Sequence, residues 1–313
     1  MTDRFHPSPE AQRFAAEVRK SGVKQMMSSV EAARAAVQQV RAHPASNDPP
    51  QDFVAEFEVG TTAIIDPRGN EWVVHTATPR DREPERTVVF THGGAFVLGM
   101  SAGHWFFCGD LITNTAARVV IPLYPLAPDG TGEFVPDMIA DIVARIIADE
   151  GAGNVSIMGD SAGGTITLSV AQILRDRGVP NPHLTVLMSP TLDTRFAEPE
   201  LDELDKVDPF LSPAGCRYAG DLYRGDLPPT DARVSPMLGN NDDLGRVLLL
   251  SGTHEILNCQ AREYANMAPA FIGTDLEYYE APQMIHVWVL TPSPEARAAR
   301  EQIYLRLTRS RDL

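Results

Sequence analysis

Short, mostly apolar runs alternate with longer helix-like stretches along most of this 313-residue chain. The runs predict six strands, at residues 88–91, 119–122, 155–158, 184–188, 247–251 and 276–279. The stretches between and after them predict helices at residues 102–117, 136–149, 161–177, 212–222, 259–270 and 295–308. Continuous apolar strands that alternate with helices are typical of a parallel sheet covered on both faces. The pattern therefore predicts an α/β protein.

The amino-terminal part of the chain has a different pattern. Helix start and stop signals bracket residues 11–20 and 28–42, and residues 43–50 (HPASNDPP) form a linker. Strand-like runs follow at residues 53–59 and 72–77, with turn residues (PRGN) between them. We therefore predict two helices ahead of the sheet, as a lid or as a surface appendage, and two further strands.

Composition and charge exclude several classes of protein. A net charge of −15 argues against nucleic acid or an anionic membrane as the partner, because both are polyanions. No apolar run is long enough to span a bilayer, and residues 1–7 (MTDRFHP) contain no apolar signal-peptide region, so a cytoplasmic protein is expected. Cys108, Cys216 and Cys259 lack metal-ligand spacing, and the nucleotide-binding glycine motifs are absent, so we expect neither a metal nor a cofactor.

The segment around Ser161 carries the most specific motif. The predicted strand at residues 155–158 stops at residues 159–164 (GDSAGG), and a helical pattern follows directly. This is the G-x-S-x-G pattern of a nucleophile elbow in its strand, turn and helix setting. The glycines allow a tight turn that holds the serine in strained backbone angles. An ordinary loop is the alternative interpretation, and the other strand ends argue against it.

Polar residues follow several of the other predicted strands. A serine hydroxyl needs a base to remove its proton and a third group to orient that base. In a triad of this type the residues come in the chain order serine, acid, histidine. Glu255, after the strand at 247–251, and His286, after the strand at 276–279, fit this order. Glu255 as a helix-terminal carboxylate and His286 as a surface histidine are the alternatives. His254 precedes the acid and is interpreted as structural.

An oxyanion that develops during acyl transfer needs backbone N–H donors that are already in place. The amide of Ala162 follows the nucleophile, and Gly93 and Gly94 follow His92 at the end of the strand at 88–91. Glycine lets the backbone approach a substrate closely. A simple tight turn is the alternative for this segment.

Together these motifs resemble the bacterial members of the hormone-sensitive-lipase family of α/β-hydrolases, from about residue 53 to the carboxyl terminus. The matching segments are residues 92–96 (HGGAF), 124–128 (YPLAP), 159–164, 189–193 (SPTLD), 208–211 (DPFL), 235–236 and His286. The resemblance implies an α/β-hydrolase fold, with a mainly parallel eight-stranded sheet covered by helices on both faces and a helical cap. It also implies Ser161 as nucleophile, Glu255 as acid, His286 as base, and the amides of Gly93, Gly94 and Ala162 as oxyanion hole.

Four positions depart from that family's pattern. Ala95 stands where a third glycine is usual, which narrows the space beside the acyl group. Pro125 replaces a common arginine and Asp129 a common glutamate, which puts a structural ion pair there in doubt. Cys259 stands where an aspartate often follows the acid, which weakens the orientation of that loop.

We therefore predict a helical cap and linker over residues 1–50, a catalytic core over residues 51–313, and an additional cap segment around residues 195–225. The expected function is a serine carboxylesterase that hydrolyses small to medium acyl esters through an acyl-enzyme. Lactonase or amidase activity would use the same triad, and a non-catalytic receptor is disfavoured because His286 is retained. The expected partner is a small-molecule ester, and a homodimer is left open.

Four side chains are predicted to contact the substrate: Met26, Met27, Phe96 and Phe210. Paired methionines between the two helices suit a pliable apolar wall that faces variable acyl chains. The alternative is that these methionines only pack against the helices.

Overall fold

The computed structural model describes residues 6–309 of the chain. Its centre is one sheet of eight strands in the order β1-β2-β4-β3-β5-β6-β7-β8. The strands are β1 (Glu58–Ile65), β2 (Glu71–Thr78), β3 (Thr87–Thr91), β4 (Arg118–Pro122), β5 (Val155–Asp160), β6 (Leu184–Met188), β7 (Gly245–His254) and β8 (Thr274–Ile285). β2 pairs antiparallel with β1 and β4, and all other pairs are parallel. The predicted mainly parallel, eight-stranded sheet is confirmed.

Helices cover both faces of the sheet. The core helices are α4 (Gln51–Glu56), α5 (Ala102–Thr115), α6 (Val135–Glu150), α7 (Ala162–Asp176), α10 (Asn258–Met267) and α11 (Pro294–Thr308). The central strand β3 is buried along its whole length. Its Val89 packs into one apolar cluster with α6 and α7, whereas Val88 and Phe90 pack into another with α5 and α11. Because alternate strand residues face opposite sides, burial on both faces explains the continuous apolar runs in the sequence.

The prediction of a strand over residues 53–59 is wrong for most of its length. Residues 53–56 belong to α4, Phe57 caps its carboxyl end, and β1 begins only at Glu58. Phe53 and Phe57 are four residues apart, so a helix places them on one face. Their ring centroids are 4.9 Å apart, and Phe53 also lies 5.0 Å from the Trp105 ring. Aromatic packing against α5 therefore outweighs the strand preference of this segment.

Two chain segments that are remote in sequence lie against each other beside the sheet. The amino-terminal segment forms α1 (Pro9–Ser21), α2 (Val23–Met26) and α3 (Val30–Ala42), and the inserted segment forms α8 (Leu201–Val207) and α9 (Pro213–Arg224). The Gly215 N–H donates to the Met27 carbonyl at 2.9 Å. The Lys24 ammonium donates to the Asp208 carbonyl at 2.7 Å and pairs with the Asp205 carboxylate at 3.0 Å. The two predicted cap segments thus contact each other directly.

Pro125 carries no charge, so Asp129 cannot pair with it and pairs instead with a residue of the amino-terminal helices. Its carboxylate lies 2.6 Å from the Arg41 guanidinium of α3, and its carbonyl accepts a hydrogen bond from Arg68 at 2.8 Å. Both members of the pair are exposed, so it contributes at most about 1 kcal/mol.

Among residues 6–309, no helix is both long and apolar enough to cross a membrane. In the same part of the chain, no group of three or more His, Cys, Asp or Glu side chains is placed to hold a metal ion.

Candidate active site

Ser161 occupies the sharp turn between β5 and α7. Its backbone has φ 52° and ψ −120°, which is unusual for a residue with a side chain. A Cβ atom on Gly163 would collide with the Thr91 carbonyl, and one on Gly159 would collide with the Gly163 carbonyl. Glycine is therefore required at both positions for the turn to close. The result is a serine held at the carboxyl end of β5, as the motif predicts.

Ser161, His286 and Glu255 form one continuous hydrogen-bonded chain. The Ser161 Oγ lies 3.0 Å from His286 Nε2, and His286 Nδ1 lies 2.6 Å from Glu255 Oε2. All three side chains are buried. Because a carboxylate can only accept, the proton belongs on Nδ1, which leaves Nε2 free to accept the serine proton. The structure thus brings together the three residues that the sequence selects.

The environment of His286 favours its protonated form. Burial lowers its pKa, but the hydrogen bond and charge of Glu255, together with the charges of Asp208 and Asp160, outweigh burial. The pKa of His286 is therefore held above the ordinary value of 6.5. A base in this setting is stabilised in the imidazolium form that it takes during proton transfer.

Besides His286, two further hydrogen-bond donors hold the Glu255 carboxylate. Its Oε1 accepts hydrogen bonds from Ser189 Oγ at 2.9 Å and from the Gly252 N–H at 2.6 Å. The side chain is fully buried, so these donors stabilise a charge that water cannot reach. Cys259, where an aspartate is common in the family, donates instead to the Ile256 carbonyl at 3.0 Å.

A second buried carboxylate, Asp208, lies close to the triad without joining it. Its Oδ2 accepts the Ile256 N–H at 2.8 Å, and its Oδ1 accepts the Phe210 and Leu211 N–H groups at 2.7 and 2.9 Å. These bonds tie the cap segment to the residue after the acid. Burial raises the pKa of Asp208 to about 6, although the charge of His286 opposes that rise. The sequence alone indicates no such role for Asp208.

The oxyanion donors differ from the predicted set at one position. The Gly93 N–H already donates to Asp160 Oδ1 at 2.9 Å, so the inclusion of Gly93 is not supported. Within residues 6–309, the N–H groups of Gly94, Ala95 and Ala162 form no hydrogen bond. Gly94 and Ala95 also line the same cavity as Ser161. The amides available for an oxyanion are therefore those of Gly94, Ala95 and Ala162.

Asp160 and His104 form a polar support beneath this loop. Asp160 Oδ2 lies 3.2 Å from His104 Nε2, and His104 Nδ1 accepts the Ser101 N–H at 2.9 Å. Burial acts to raise the pKa of Asp160, but His104 and the Gly93 amide together hold that pKa below its ordinary value. Both nitrogens of His104 are used, so it is not a second base. In the sequence, the only signal of this support is the position of Asp160 directly before the nucleophile.

A cavity of about 600 Å³ opens above Ser161 and His286. Its wall is mainly apolar and comes from both cap segments and the core: Phe14, Val23, Met27, Leu98, Phe106, Phe210, Leu211, Val287, Leu290 and Pro292. Met27 and Phe210, two of the four predicted substrate contacts, line this cavity. Phe210 also presents its ring edge-on to the His286 imidazole, with centroids 5.6 Å apart.

The other two predicted substrate contacts do not line this cavity. Met26 is 46% exposed, because the helical turn directs it away from Met27. Phe96 is buried beneath the cap, where it stacks on Tyr223 with centroids 4.0 Å apart. His254, interpreted as structural, is half-buried and lines a different pocket beside Arg19. Burial lowers its pKa.

A buried serine, histidine and glutamate in contact at the carboxyl edge of a parallel sheet are typical of a serine hydrolase of the α/β class. A family profile described as the alpha/beta hydrolase fold matches residues 88–290, which is more than half of the chain. The chain belongs to this α/β-hydrolase family. The resemblance to the hormone-sensitive-lipase group is thereby confirmed at the level of the family.

Comparison with individual proteins agrees with this assignment. A triacylglycerol lipase of Mycobacterium tuberculosis is 34% identical over 205 residues, which are 65% of this chain but only 42% of that protein. An acetyl-hydrolase of Streptomyces hygroscopicus is 29% identical over 211 residues, which are 66% of this chain and 69% of that protein. A solved esterase of the bacterial hormone-sensitive lipase family has a TM-score of 0.77 at 22% identity, covering 97% of this chain and 98% of that one. This last similarity shows the shared fold.

Proposed function

We propose that the protein is a serine carboxylesterase in which Ser161 is the nucleophile, His286 the base and Glu255 the acid. The observation that carries the proposal is the unbroken chain of contacts from Ser161 Oγ through His286 to Glu255. The lipase and the acetyl-hydrolase among its relatives support ester hydrolysis as the reaction. A cytoplasmic location remains a prediction.

The reaction follows from these positions. His286 Nε2 accepts the proton as Ser161 Oγ attacks the ester carbonyl, and the amides of Gly94, Ala95 and Ala162 donate to the oxyanion. The proton then passes to the leaving alcohol, which leaves an acyl group on Ser161. Water activated by His286 releases the acid. Glu255 keeps the imidazole in the required tautomer and stabilises its positive charge throughout.

The cavity indicates which esters fit. Its wall is mainly apolar, and its buried carboxylate, Asp160, is already bonded to His104 and Gly93. An uncharged ester with small to medium apolar groups matches this lining, whereas an unpaired charge on the substrate would lose its hydration without gaining a partner. The direct test is a series of nitrophenyl esters from acetate to decanoate, with a γ-lactone and a nitroanilide as comparisons. Absence of turnover on every ester would refute the proposal.

We expect Met27→Ala to favour longer acyl chains. Met27 lines the cavity and is buried, so its truncation lengthens the apolar space. The ratio of kcat/KM for octanoate to that for butyrate should rise about tenfold, as is typical when a hydrophobic pocket gains room for a chain. The free energy of unfolding should fall by about 2 kcal/mol. Met26→Ala is the matched control, because Met26 is exposed and outside the cavity. Equal octanoate-to-butyrate ratios in the two variants would show that Met27 does not limit the length of the acyl chain.

We expect Asp208→Asn to shift the pH dependence of the reaction. The charge of Asp208 raises the pKa of His286, and only the neutral imidazole accepts the serine proton. Loss of that charge lowers the pKa of His286, so the rising limb of kcat/KM should move to lower pH. Asp202→Asn removes the same charge from an exposed position on α8 and should leave the limb in place. A folded Asp208→Asn protein with an unchanged limb would contradict this interpretation.

A further inference from the structure

One buried hydroxyl contacts the segments of both the acid and the base. Ser189 lies directly after β6, and its Oγ donates to Glu255 Oε1 at 2.9 Å. The same Oγ accepts the N–H of Val287, the residue after His286, at 3.1 Å. Ser189 is fully buried. Its hydroxyl therefore bridges two loops that follow different strands, at the point where the acid and the base must meet.

Both ends of the Val287–Ser189 bond have unfavourable backbone conformations. Ser189 has φ 47°, and Val287 has φ 48° and ψ 33°. The left-handed region is uncommon for any residue with a side chain and is an outlier for a β-branched one. Such conformations persist only where the surrounding structure imposes them. The Ser189 hydroxyl is one of the contacts that hold the turn carrying His286.

We propose that Ser189 is a positioning residue for the triad, whose hydroxyl fixes the carboxylate of Glu255 and the His286 turn relative to each other. The inference rests on the proposed ester hydrolysis. Without the hydroxyl, Glu255 Oε1 retains the Gly252 N–H as a donor, and the Val287 N–H loses its acceptor. The imidazole then has a less defined orientation as it takes the proton. Because the cavity does not change, substrate binding should be preserved while the chemical step slows.

Three substitutions at position 189 separate the effect of the hydroxyl on activity from the effect of the backbone strain. Ser189→Ala removes the hydroxyl and keeps a Cβ in the left-handed region, whereas Ser189→Gly removes the hydroxyl and relieves that strain. Ser189→Thr keeps the hydroxyl and adds strain. We expect the Ala and Gly variants to lose at least tenfold in kcat with KM within twofold, although the Gly variant should have the higher Tm. The Thr variant should retain kcat within about fivefold despite a lower Tm.

Ser251→Ala is the matched control. Ser251 is equally buried, lies near the end of the neighbouring strand β7, and bonds to Tyr278 and Asn258 rather than to the triad. Its kcat should stay within twofold of the unsubstituted protein. Recovery of kcat in Ser189→Gly relative to Ser189→Ala would overturn the proposal, because activity would then follow strain and not the hydroxyl. That comparison decides the question even if the Thr variant does not fold.

These outcomes are distinct from a failure of the proposed function. If the unsubstituted protein hydrolyses no ester, the function itself is wrong. If it is active and Ser189→Gly is equally active, only the role of Ser189 is wrong. Labelling of Ser161 by an organophosphonate gives a second readout that does not depend on turnover, and its rate should fall in parallel with kcat.

Discussion

Ser161→Ala is expected to abolish ester hydrolysis while the fold is retained. The three members of a triad act as a unit, so loss of the nucleophile costs about four to six orders of magnitude in kcat. Ala tolerates the left-handed turn about as well as Ser does, so the circular dichroism spectrum and Tm should change little. The measurement is kcat on nitrophenyl butyrate, with purification from a host that lacks background esterase.

Covalent labelling provides the control for this prediction. An organophosphonate should modify the unsubstituted protein once, on the peptide that contains Ser161, and should leave Ser161→Ala unmodified. A variant that keeps more than about a hundredth of the original kcat, or labelling at another serine, would require a different nucleophile.

His286→Ala is expected to cause a loss of similar size and to remove the pH dependence that the base imposes. The pKa of His286 is raised above 6.5, and the neutral form is the active one. In the unsubstituted protein, kcat/KM should therefore rise with pH through a single step whose midpoint lies above 6.5. The residual activity of His286→Ala should lack that step.

His254→Ala is the control for the base. His254 is the nearest histidine to the acid in sequence, yet it lines a different pocket from the triad. Its kcat should remain within about twofold and its pH profile should not change. The reverse pattern, with His254 essential and His286 dispensable, would invalidate the assignment.

The fold was predictable where burial is uniform. β3, β5 and β6 are buried at every position, so apolar runs marked them without ambiguity. β1 lies at the edge of the sheet and is mostly exposed, which leaves no alternation to detect. The segment that forms α4 reads as a strand because Phe53 and Phe57 suit either structure, and only the packing of Phe53 on Phe57 and on Trp105 selects the helix.

The triad was predictable because a fixed chain order and the positions of strand ends restrict the choice to few residues. The supporting contacts were not, because each joins residues far apart in sequence: Gly93 with Asp160, and Ser189 with both Glu255 and Val287. The direction of a side chain on a short helix cannot be predicted from the sequence either. Met26 and Met27 are adjacent and alike, and only the three-dimensional turn sends one into the cavity and the other to the surface.

The contact between Gly215 and Met27 has a consequence for anyone who recombines this enzyme with its relatives. A Cβ at position 215 would collide with the Met27 backbone. This position of α9 therefore tolerates only glycine while the amino-terminal helices are docked on the helix. Residues 9–42 and 213–224 therefore have to be exchanged together, although about 170 positions, which include strands β1 to β6 and helix α8, separate them in sequence. A chimera that exchanges the amino-terminal segment alone pairs two surfaces that were never fitted to each other. Such an exchange also replaces only part of the cavity wall, because Phe210, Leu211 and core residues such as Leu98 form the rest of it.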